Sequence, residues 1–265
     1  MNDTLVYTIC TSDYDYLFPK NTSNVLPNCD IKVLCVDCKK IPYPYGVNVD
    51  KKTLPKFKTN FLLSRYLKTN IYRIFPNYKN YVYLDGNIIV KKKFSLILDS
   101  FVSSNKIIFV KKHPYRNTLI QEFRHLLISK KIMSLKKKTA ILNQMSSLKK
   151  KYYNLLLTEN NIFMFKKKPK VEKYLGHWFE EIQKWETRDQ LSNSISLKLF
   201  SKEEIFLWTP SETKMLYHLN GHRNNQFPYS IYNWIHSRRH KYIWSLVELI
   251  TRPIYYLFLK IMLKK

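Results

Sequence analysis

The chain has 265 residues, of which 45% are hydrophobic and 15% aromatic, so it can bury a sizeable core and is too rich in core-forming residues to be disordered. Lys and Arg number 46 against 19 Asp and Glu, which gives a formal net charge of +27. This charge attracts polyanions, and nucleic acid, anionic lipid and phosphorylated small molecules are the candidate partners.

The first two predicted elements are short buried strands. Residues 4–11 and 31–36 are apolar and β-branched, and a polar segment separates them. Ser12 and Asp13 follow the first strand, and Asp37 follows the second. Because open α/β sheets bind ligands at the carboxyl ends of their strands, Asp37 is a candidate contact to a nucleoside.

Four cysteines fall within the first 38 residues. Cys35 and Cys38 form a C-x-x-C pattern, and together with Cys10 and Cys29 they offer one possible zinc site. The surrounding IKVLCVDC pattern is that of a buried strand, so we expect small apolar core cysteines instead. No charged-then-apolar leader is evident, and we therefore expect a reducing cytoplasm rather than secretion by a signal peptide.

A helix and a broken strand follow. Apolar side chains recur at helical spacing from Phe57 to Ile74, and Pro76 ends the pattern. Residues 81–90 then form a strand that Asp85-Gly86-Asn87 interrupts at its midpoint. Such an interruption predicts a sharp bend that exposes the Asp and Asn side chains.

Strands and helices alternate over the rest of the domain. We predict a strand over 106–110, Lys-studded helices within 117–157, a strand over 161–165 and an amphipathic helix over 176–185. Neither an internal repeat nor a linker is evident, so residues 1–228 are predicted to form one α/β domain.

The segment 229–265 has a different character. Residues 242–263 are strongly apolar and aromatic, but charged residues and a proline interrupt them: Glu248, Arg252, Pro253 and Lys260. A spanning helix needs about 20 residues with almost no charge. We therefore predict basic amphipathic helices that lie on an anionic membrane surface. The alternative is a C-terminal helix packed on the core of its own domain.

The glycines limit the ways in which the chain can hold a nucleotide. Only four occur, and they form neither a G-x-G-x-x-G turn nor a P-loop, which excludes Rossmann dehydrogenases and P-loop enzymes. A divalent cation on carboxylates at a strand end is the usual alternative for binding a diphosphate. Asp85 lies at such a position.

Residues 63–88, LSRYLKTNIYRIFPNYKNYVYLDGNI, resemble the signature of a glycosyltransferase-like family that occurs in plant cell-wall proteins and bacterial polysaccharide loci and was first catalogued as a domain of unknown function. Three further blocks follow in the family's order, at His113–Glu122, Thr158–Phe165 and His177–Ser192. The resemblance implies a single GT-A-like nucleotide-diphospho-sugar transferase domain, with a mixed central sheet flanked by helices.

The resemblance also implies a metal site. Transferases of this fold end a strand in Asp-x-Asp, whose acids bind a metal on the donor diphosphate, and here the position reads Asp85-Gly86-Asn87. We accordingly expect Mn²⁺ or Mg²⁺ on Asp85 and Asn87, although Asn is a weaker ligand than Asp. His218 is a candidate third ligand, with a surface histidine as the alternative.

Two cations match the family's Arg-x-x-Lys position. Arg65 and Lys68 are three residues apart on one helix face, and we assign them to the donor's phosphates or base. Arg65 could instead pair with a structural acid. The resemblance further implies a set of residues that face the acceptor or the sugar: His113, Arg116, Glu122, Glu159 and Asn161.

Arg188-Asp189-Gln190 match the family's Arg-Asp-Gln, and the resemblance implies that they are catalytic. Asp189 is the candidate for the general base or for stabilising an oxocarbenium ion. The alternative is that Asp189 caps a helix beginning at Gln190.

We therefore predict a peripheral membrane enzyme at the cytoplasmic face, which transfers a hexose or related sugar from a nucleoside-diphosphate sugar to a surface polysaccharide or lipid-linked glycan. A nucleic-acid-binding protein is the rival, suggested by charge and by Lys151-Tyr152-Tyr153. Acids at strand ends and the lack of a recognised nucleic-acid module argue against that rival. Asn87 also leaves open an inactive glycan-binding relative.

Overall fold

A computed structural model describes residues 2–12, 19–128, 135–209 and 217–219, with the backbone alone at 19, 20, 128 and 217–219. Its strands are β1 Thr4–Thr11, β2 Asp30–Val36, β3 Gly46–Asn48, β4 Asn80–Leu84, β5 Ile88–Val90, β6 Ile108–Lys112, β7 Thr158–Lys166, β8 Ile205–Trp208 and β9 Tyr217–Leu219. Its α-helices are α1 Pro19–Val25, α2 Asn60–Ile74, α3 Phe94–Ser103, α4 Leu119–Ile128, α5 Leu135–Ser147, α6 Pro169–Trp185 and α7 Asp189–Ser196.

Seven strands form one mixed sheet in the order β3-β2-β1-β4-β7-β6-β8. β1 is parallel to both β2 and β4, whereas β7 is antiparallel to both β4 and β6. The chain moves outwards from β1 through β2 to β3 and then returns to place β4 on the other side of β1, so the strand order reverses between β1 and β4. Ligands of α/β sheets bind at such reversal points. The sheet and its helices confirm the predicted α/β fold with a mixed central sheet.

The central strands read as continuous apolar runs because helices cover both faces of the sheet. Tyr81 and Tyr83 of β4 point into the cluster that contains α2 and α6, and Val82 and Leu84 point into the cluster that contains α3. Cys10 of β1 and Cys35 of β2 are direct neighbours in the parallel register and are buried, as predicted for core cysteines, whereas Cys29 and Cys38 are only partly buried.

Helices α2 and α6 form the layer over the first face. Thr59 caps α2, because its side-chain oxygen accepts a hydrogen bond from the N–H of Leu62 at 3.2 Å. α6 begins at Pro169, seven residues before the predicted start, because proline suits the first helical turn and Val171 already faces the core.

A bulge in β7 is the main irregularity of the sheet. Val110 of β6 pairs with Phe163, but the next residue, Lys111, pairs with Glu159, so residues 160–162 of β7 have no partner on β6. β7 begins at Thr158 rather than at the predicted residue 161, and it lies between β4 and β6 in the interior of the sheet. The bulge turns backbone groups of β7 towards α2.

Helix α3 forms over residues to which the sequence pattern assigned no element. None of the described helices combines the length and apolarity needed to cross a bilayer. The predicted boundary at residue 228 and the basic segment 229–265 lie outside the described residues.

Replacing Leu67 tests the layer between α2 and the sheet. Leu67 is 0% exposed, and Leu67→Ala should lower the free energy of unfolding by about 2–5 kcal/mol, because it removes buried methyl groups and leaves a cavity. Chemical denaturation measures this change. The matched control is Leu96→Ala on α3, where the side chain is 66% exposed and the expected change is within about 0.5 kcal/mol. Equal effects of both substitutions would contradict the packing described.

Candidate functional site

The candidate site lies where β1, β2 and β4 end. Ser12 and Asp37, which follow β1 and β2, both have positive φ angles, of 53° and 52°. Asp85 follows β4 and opens a turn closed by the N–H of Ile88, which donates to the Asp85 carbonyl at 2.9 Å. The Asp85 N–H in turn donates to the Asn161 carbonyl at 2.9 Å, which ties the turn to β7. The predicted break in the strand is therefore present, and Gly86 forms it without a positive φ. The predicted exposure of both polar side chains is wrong for Asn87, which is buried because the turn leads directly into the buried strand β5.

Tyr83 orients the Asp85 carboxylate. Its hydroxyl donates to Asp85 Oδ1 at 2.7 Å, and the two side chains lie on the same face of β4 because they are two residues apart. Burial and the charge of Asp85 raise the pKa of Tyr83 well above its usual value, so the phenol stays protonated as a donor. The Oδ2 atom of Asp85 makes no hydrogen bond to any described residue and is available to a ligand.

A second carboxylate, Asp189, is held by two cations of α2. Arg65 Nε lies 3.2 Å and Lys68 Nζ 3.5 Å from Asp189 Oδ2. Burial alone would raise the pKa of Asp189, but Arg65 and Lys68 more than offset this, and the pKa is lowered. Asp189 is the first residue of α7, after the cap residue Arg188, so it does not cap a helix that starts at Gln190.

The Lys68 side chain is only 1% exposed, so its ammonium group lies beneath the site rather than at its surface. Nζ donates to the Asn160 carbonyl at 2.7 Å and lies 3.9 Å from the centre of the Tyr83 ring. Burial lowers the pKa of Lys68, although Asp189 opposes that shift. The bulge in β7 positions the carbonyl that Lys68 uses, and the Tyr83 ring adds a cation–π contact.

A second ion cluster lies between α4 and the start of α7. The Glu122 side chain is 0% exposed and pairs with Arg116 and with Arg188, whose Nη1 lies 3.4 Å from Glu122 Oε1. His113 Nδ1 accepts from the N–H of Arg116 at 3.1 Å and from the N–H of Tyr115 at 3.2 Å. Burial and the neighbouring arginines lower the pKa of His113 to about 2, so its ring is neutral at physiological pH.

These contacts distinguish two kinds of predicted acceptor-side residue. Glu122 is buried and paired with arginines, and His113 is buried and hydrogen-bonds to the loop around Arg116. Both residues therefore position other parts of the site. Glu159 is partly exposed and pairs with Lys111 at 2.6 Å.

Three amide oxygens at the site have no hydrogen-bond donor among the described residues. They are Asn87 Oδ1, Asn161 Oδ1 and Gln190 Oε1, and all three residues are buried. A buried acceptor without a partner is costly, by about 1–3 kcal/mol, so these atoms are candidate contacts for water, a cation or a ligand hydroxyl.

Two further residues were predicted to contact a ligand: Asp37 for the nucleoside and His218 for the metal. Asp37 is exposed and forms an ion pair with Lys51, which also approaches the side chain of Asn60 at 3.4 Å. His218 lies on β9, opposite Ile89 of β5, and its side chain is outside the described part of the structure. Across that part, no group of three or more His, Cys, Asp or Glu side chains is arranged to hold a metal ion.

Several residues of the site were missed by the sequence reasoning. Trp178 Nε1 donates to the Asp189 carbonyl at 3.0 Å, and Asn193 Nδ2 donates to Asn160 Oδ1 at 2.6 Å. Tyr83 was detectable, since it is two residues before Asp85 on a strand. Lys111 and Asn160 depend on the bulge, which has no recognisable sequence signal.

Residues 51–222 match the family described as the TOD1/MUCI70 glycosyltransferase-like domain. The chain belongs to this family. The match includes Asp85, Asp189 and both ion clusters. The central sheet is mixed and flanked by helices, as the resemblance implied. A comparison with curated protein sequences gave no match.

Solved structures similar to this family member include glycosyltransferases. Core-mannan synthase A (CmsA/Ktr4) from Aspergillus fumigatus, in its Mn/GDP form, is 12% identical with a TM-score of 0.43, over 86% of this chain and 80% of that one. The galactosyltransferase LgtC, in complex with donor and acceptor sugar analogues, is 8% identical with a TM-score of 0.43, over 80% and 77%. The mannosyltransferase Ktr4p from S. cerevisiae is 11% identical with a TM-score of 0.41, over 85% and 76%.

Asp189→Asn should lower the free energy of unfolding by about 3–5 kcal/mol at pH 7, because it leaves the buried Lys68 ammonium group without its carboxylate. The pKa of Asp189 is lowered in the folded state, so its stabilising effect is present above the pKa of an unfolded Asp, about 3.9, and is lost as the pH falls through the lower folded value. The difference between the two proteins should therefore shrink below about pH 4.

Urea unfolding across pH 2–8 measures this dependence. Asp3→Asn is the matched control, because Asp3 pairs with Lys79 on the surface and both side chains are largely exposed. A difference for Asp189→Asn that stays constant down to pH 2 would contradict the ionised, paired state of Asp189.

Proposed function

We propose that this protein is a glycosyltransferase that moves a sugar from a nucleoside-diphosphate donor to a surface polysaccharide or lipid-linked glycan. Membership in a glycosyltransferase-like family supports the reaction class. One observation carries the proposal. The site combines a strand-end carboxylate, Asp85, with a carboxylate on α7, Asp189, that two α2 cations keep ionised.

The end of β4 would bind the donor diphosphate. Asp85 has one carboxylate oxygen without a hydrogen bond to any described residue, and Asn87 has a buried amide oxygen without a donor. Two oxygen ligands of this kind suit Mn²⁺ or Mg²⁺, so the residues present fit a divalent cation. When bound, such an ion neutralises charge on the diphosphate as it leaves. Asp85 and Asn87 would hold it.

Arg65 is the α2 cation that can reach a donor. Its side chain is partly exposed, its guanidinium group lies 5.0 Å from the centre of the Phe61 ring, and it contacts Asp189 through Nε. The remaining N–H groups are available to a phosphate. Lys68 is enclosed and would act through Asp189 and Asn160 instead.

The pairing of Asp189 favours one of its two expected roles. A general base is most effective when its pKa is near the working pH, whereas two cations lower the pKa of Asp189. An ionised carboxylate instead stabilises the positive charge that develops on the sugar in an oxocarbenium-like transition state. We assign this electrostatic role to Asp189, and we assign contacts with sugar hydroxyl groups to Gln190 and Asn161.

Attachment at the cytoplasmic face of a membrane remains part of the proposal. It rests on the basic, aromatic segment 229–265 and on the net charge of +27. This location would keep the enzyme beside a membrane-bound acceptor.

Nucleotide-sugar binding tests the proposal. A uridine or guanosine diphosphate sugar with Mn²⁺ should raise the melting temperature, because a ligand that binds only the folded state stabilises it. Asp85→Ala should remove this rise and reduce donor hydrolysis by at least about tenfold, since the diphosphate loses its anchor.

Asp99→Asn is the matched control, because Asp99 is an exposed acid on α3 and its loss changes the charge equally. The control should keep both the melting-temperature rise and the hydrolysis. A protein that binds no nucleotide sugar, or an Asp85→Ala variant that binds as tightly as the parent, would overturn the proposal.

A further inference from the structure

The two ion clusters include consecutive residues, Arg188 and Asp189, which pair with different helices. Asp189 pairs with Arg65 and Lys68 of α2, whereas Arg188 pairs with Glu122 of α4. The start of α7 is therefore fixed from both sides, and Arg188 lies directly beside the carboxylate assigned to the reaction centre.

The cluster around Glu122 carries an excess of positive charge. Two guanidinium groups, of Arg116 and Arg188, face the single carboxylate of Glu122, which leaves one positive charge uncompensated. The neutral ring of His113 adds none. Arg116 is mostly buried, and the carboxylate of Glu122 is its ion-pair partner.

Arg188 is the member of this cluster that is open to a ligand. Its side chain is 40% exposed and makes one long contact, at 3.4 Å from Nη1 to Glu122 Oε1. A guanidinium group has five N–H donors in a planar fork, so most of those of Arg188 are available. Such a fork matches a carboxylate or a phosphate in bidentate geometry. The contact with the buried Glu122 restricts where the fork can lie, which reduces the ordering that a ligand has to impose.

The loop that carries His113 and Arg116 also carries an exposed aromatic side chain. Tyr115 is 52% exposed, and its ring centre lies 6.1 Å from that of His113, within the loop that also carries Arg116. A Tyr at this place offers a flat apolar surface with a polar end, as in many binding sites for amphipathic ligands. Arg116 of this loop and Arg188 pair with the same carboxylate, that of Glu122, so the loop belongs to the same cluster as Arg188.

We propose that Arg188, held by Glu122, forms an acceptor subsite that binds an anionic group on the acceptor, with Tyr115 on the loop of Arg116 as its aromatic surface. The group is a uronate carboxylate on a glycan or the phosphate of a lipid-linked acceptor. The inference rests on the proposed glycosyltransferase function and adds the chemical class of its acceptor. Arg188 thereby discriminates between charged and neutral acceptors.

Paired probes separate the two sources of the anion. Binding is measured by calorimetry in the presence of the nucleotide sugar. The first pair of probes is a glucuronate-containing oligosaccharide and its carboxyl-reduced form. The second pair is farnesyl phosphate and farnesol. The full chain should bind the charged member of at least one pair about tenfold more tightly than the neutral member, a ratio expected for one charge-assisted bidentate contact. The pair that shows the preference identifies the source of the anion.

Arg188→Gln should reduce that ratio to about one, and Arg188→Lys should restore only part of it, because an ammonium group lacks the planar fork. Arg73→Gln is the matched control, since Arg73 is an exposed cation in the last turn of α2 and its loss changes the net charge equally. Tyr115→Ala is a second variant at an exposed position and should weaken binding of both glycans, whatever their charge.

Three results would overturn the inference: no preference in the parent protein, a preference that survives Arg188→Gln, or an equal loss in Arg73→Gln, which indicates diffuse attraction to the basic surface. Each of these results bears on the acceptor subsite only if the parent protein binds a nucleotide sugar. A parent that binds none refutes the glycosyltransferase proposal instead, so the two failures are distinguishable.

Discussion

The buried ammonium group of Lys68 is the feature on which the arrangement of the site depends. A charge removed from water is strongly unfavourable unless it is paired and hydrogen-bonded. Asp189, the Asn160 carbonyl and the Tyr83 ring meet this requirement, and they come from three different elements, α7, β7 and β4. Satisfying one cation therefore fixes the start of α7, the bulge of β7 and the end of β4 relative to α2.

This requirement explains why the site is built from polar residues inside a domain core. Helix α7 is buried over its whole length although most of its residues are polar, and the side chains of Asn193, Ser194 and Ser196 hydrogen-bond within the protein. Lys68 supports Asp189 from below, and Arg65 approaches it from the partly exposed side. The result is a carboxylate that stays ionised at the end of the sheet, close to the turn that carries Asp85. A glycosyltransferase site needs such fixed charges, because they stabilise developing charge without reorganising during the reaction.

The sequence predicts the strands of this fold better than it predicts the charged contacts. Apolar runs identify β1 and β2, and the Asp-Gly-Asn interruption identifies the turn after β4, since these signals are local. The start of β7 is not visible in the sequence, because residues 158–161 are polar, and the burial of Thr158, Asn160 and Asn161 depends on a bulge created by pairing with two neighbouring strands. Family resemblance selects Lys68 and Glu122 as site residues, but the pattern gives no sign that both are almost fully buried. Charged residues are ordinarily exposed, and burial here depends on partners that are distant in the sequence.

A double-mutant cycle between Lys68 and Asp189 tests the central claim most directly. Free energies of unfolding at pH 7 are measured for Lys68→Met, Asp189→Asn and the double variant. The account predicts that the double variant is more stable than the sum of the single effects implies, with a coupling energy of about 1–3 kcal/mol, because each single change leaves the partner's charge buried and unpaired. Additive effects, with a coupling near zero, would contradict the claim that this buried pair holds the site together.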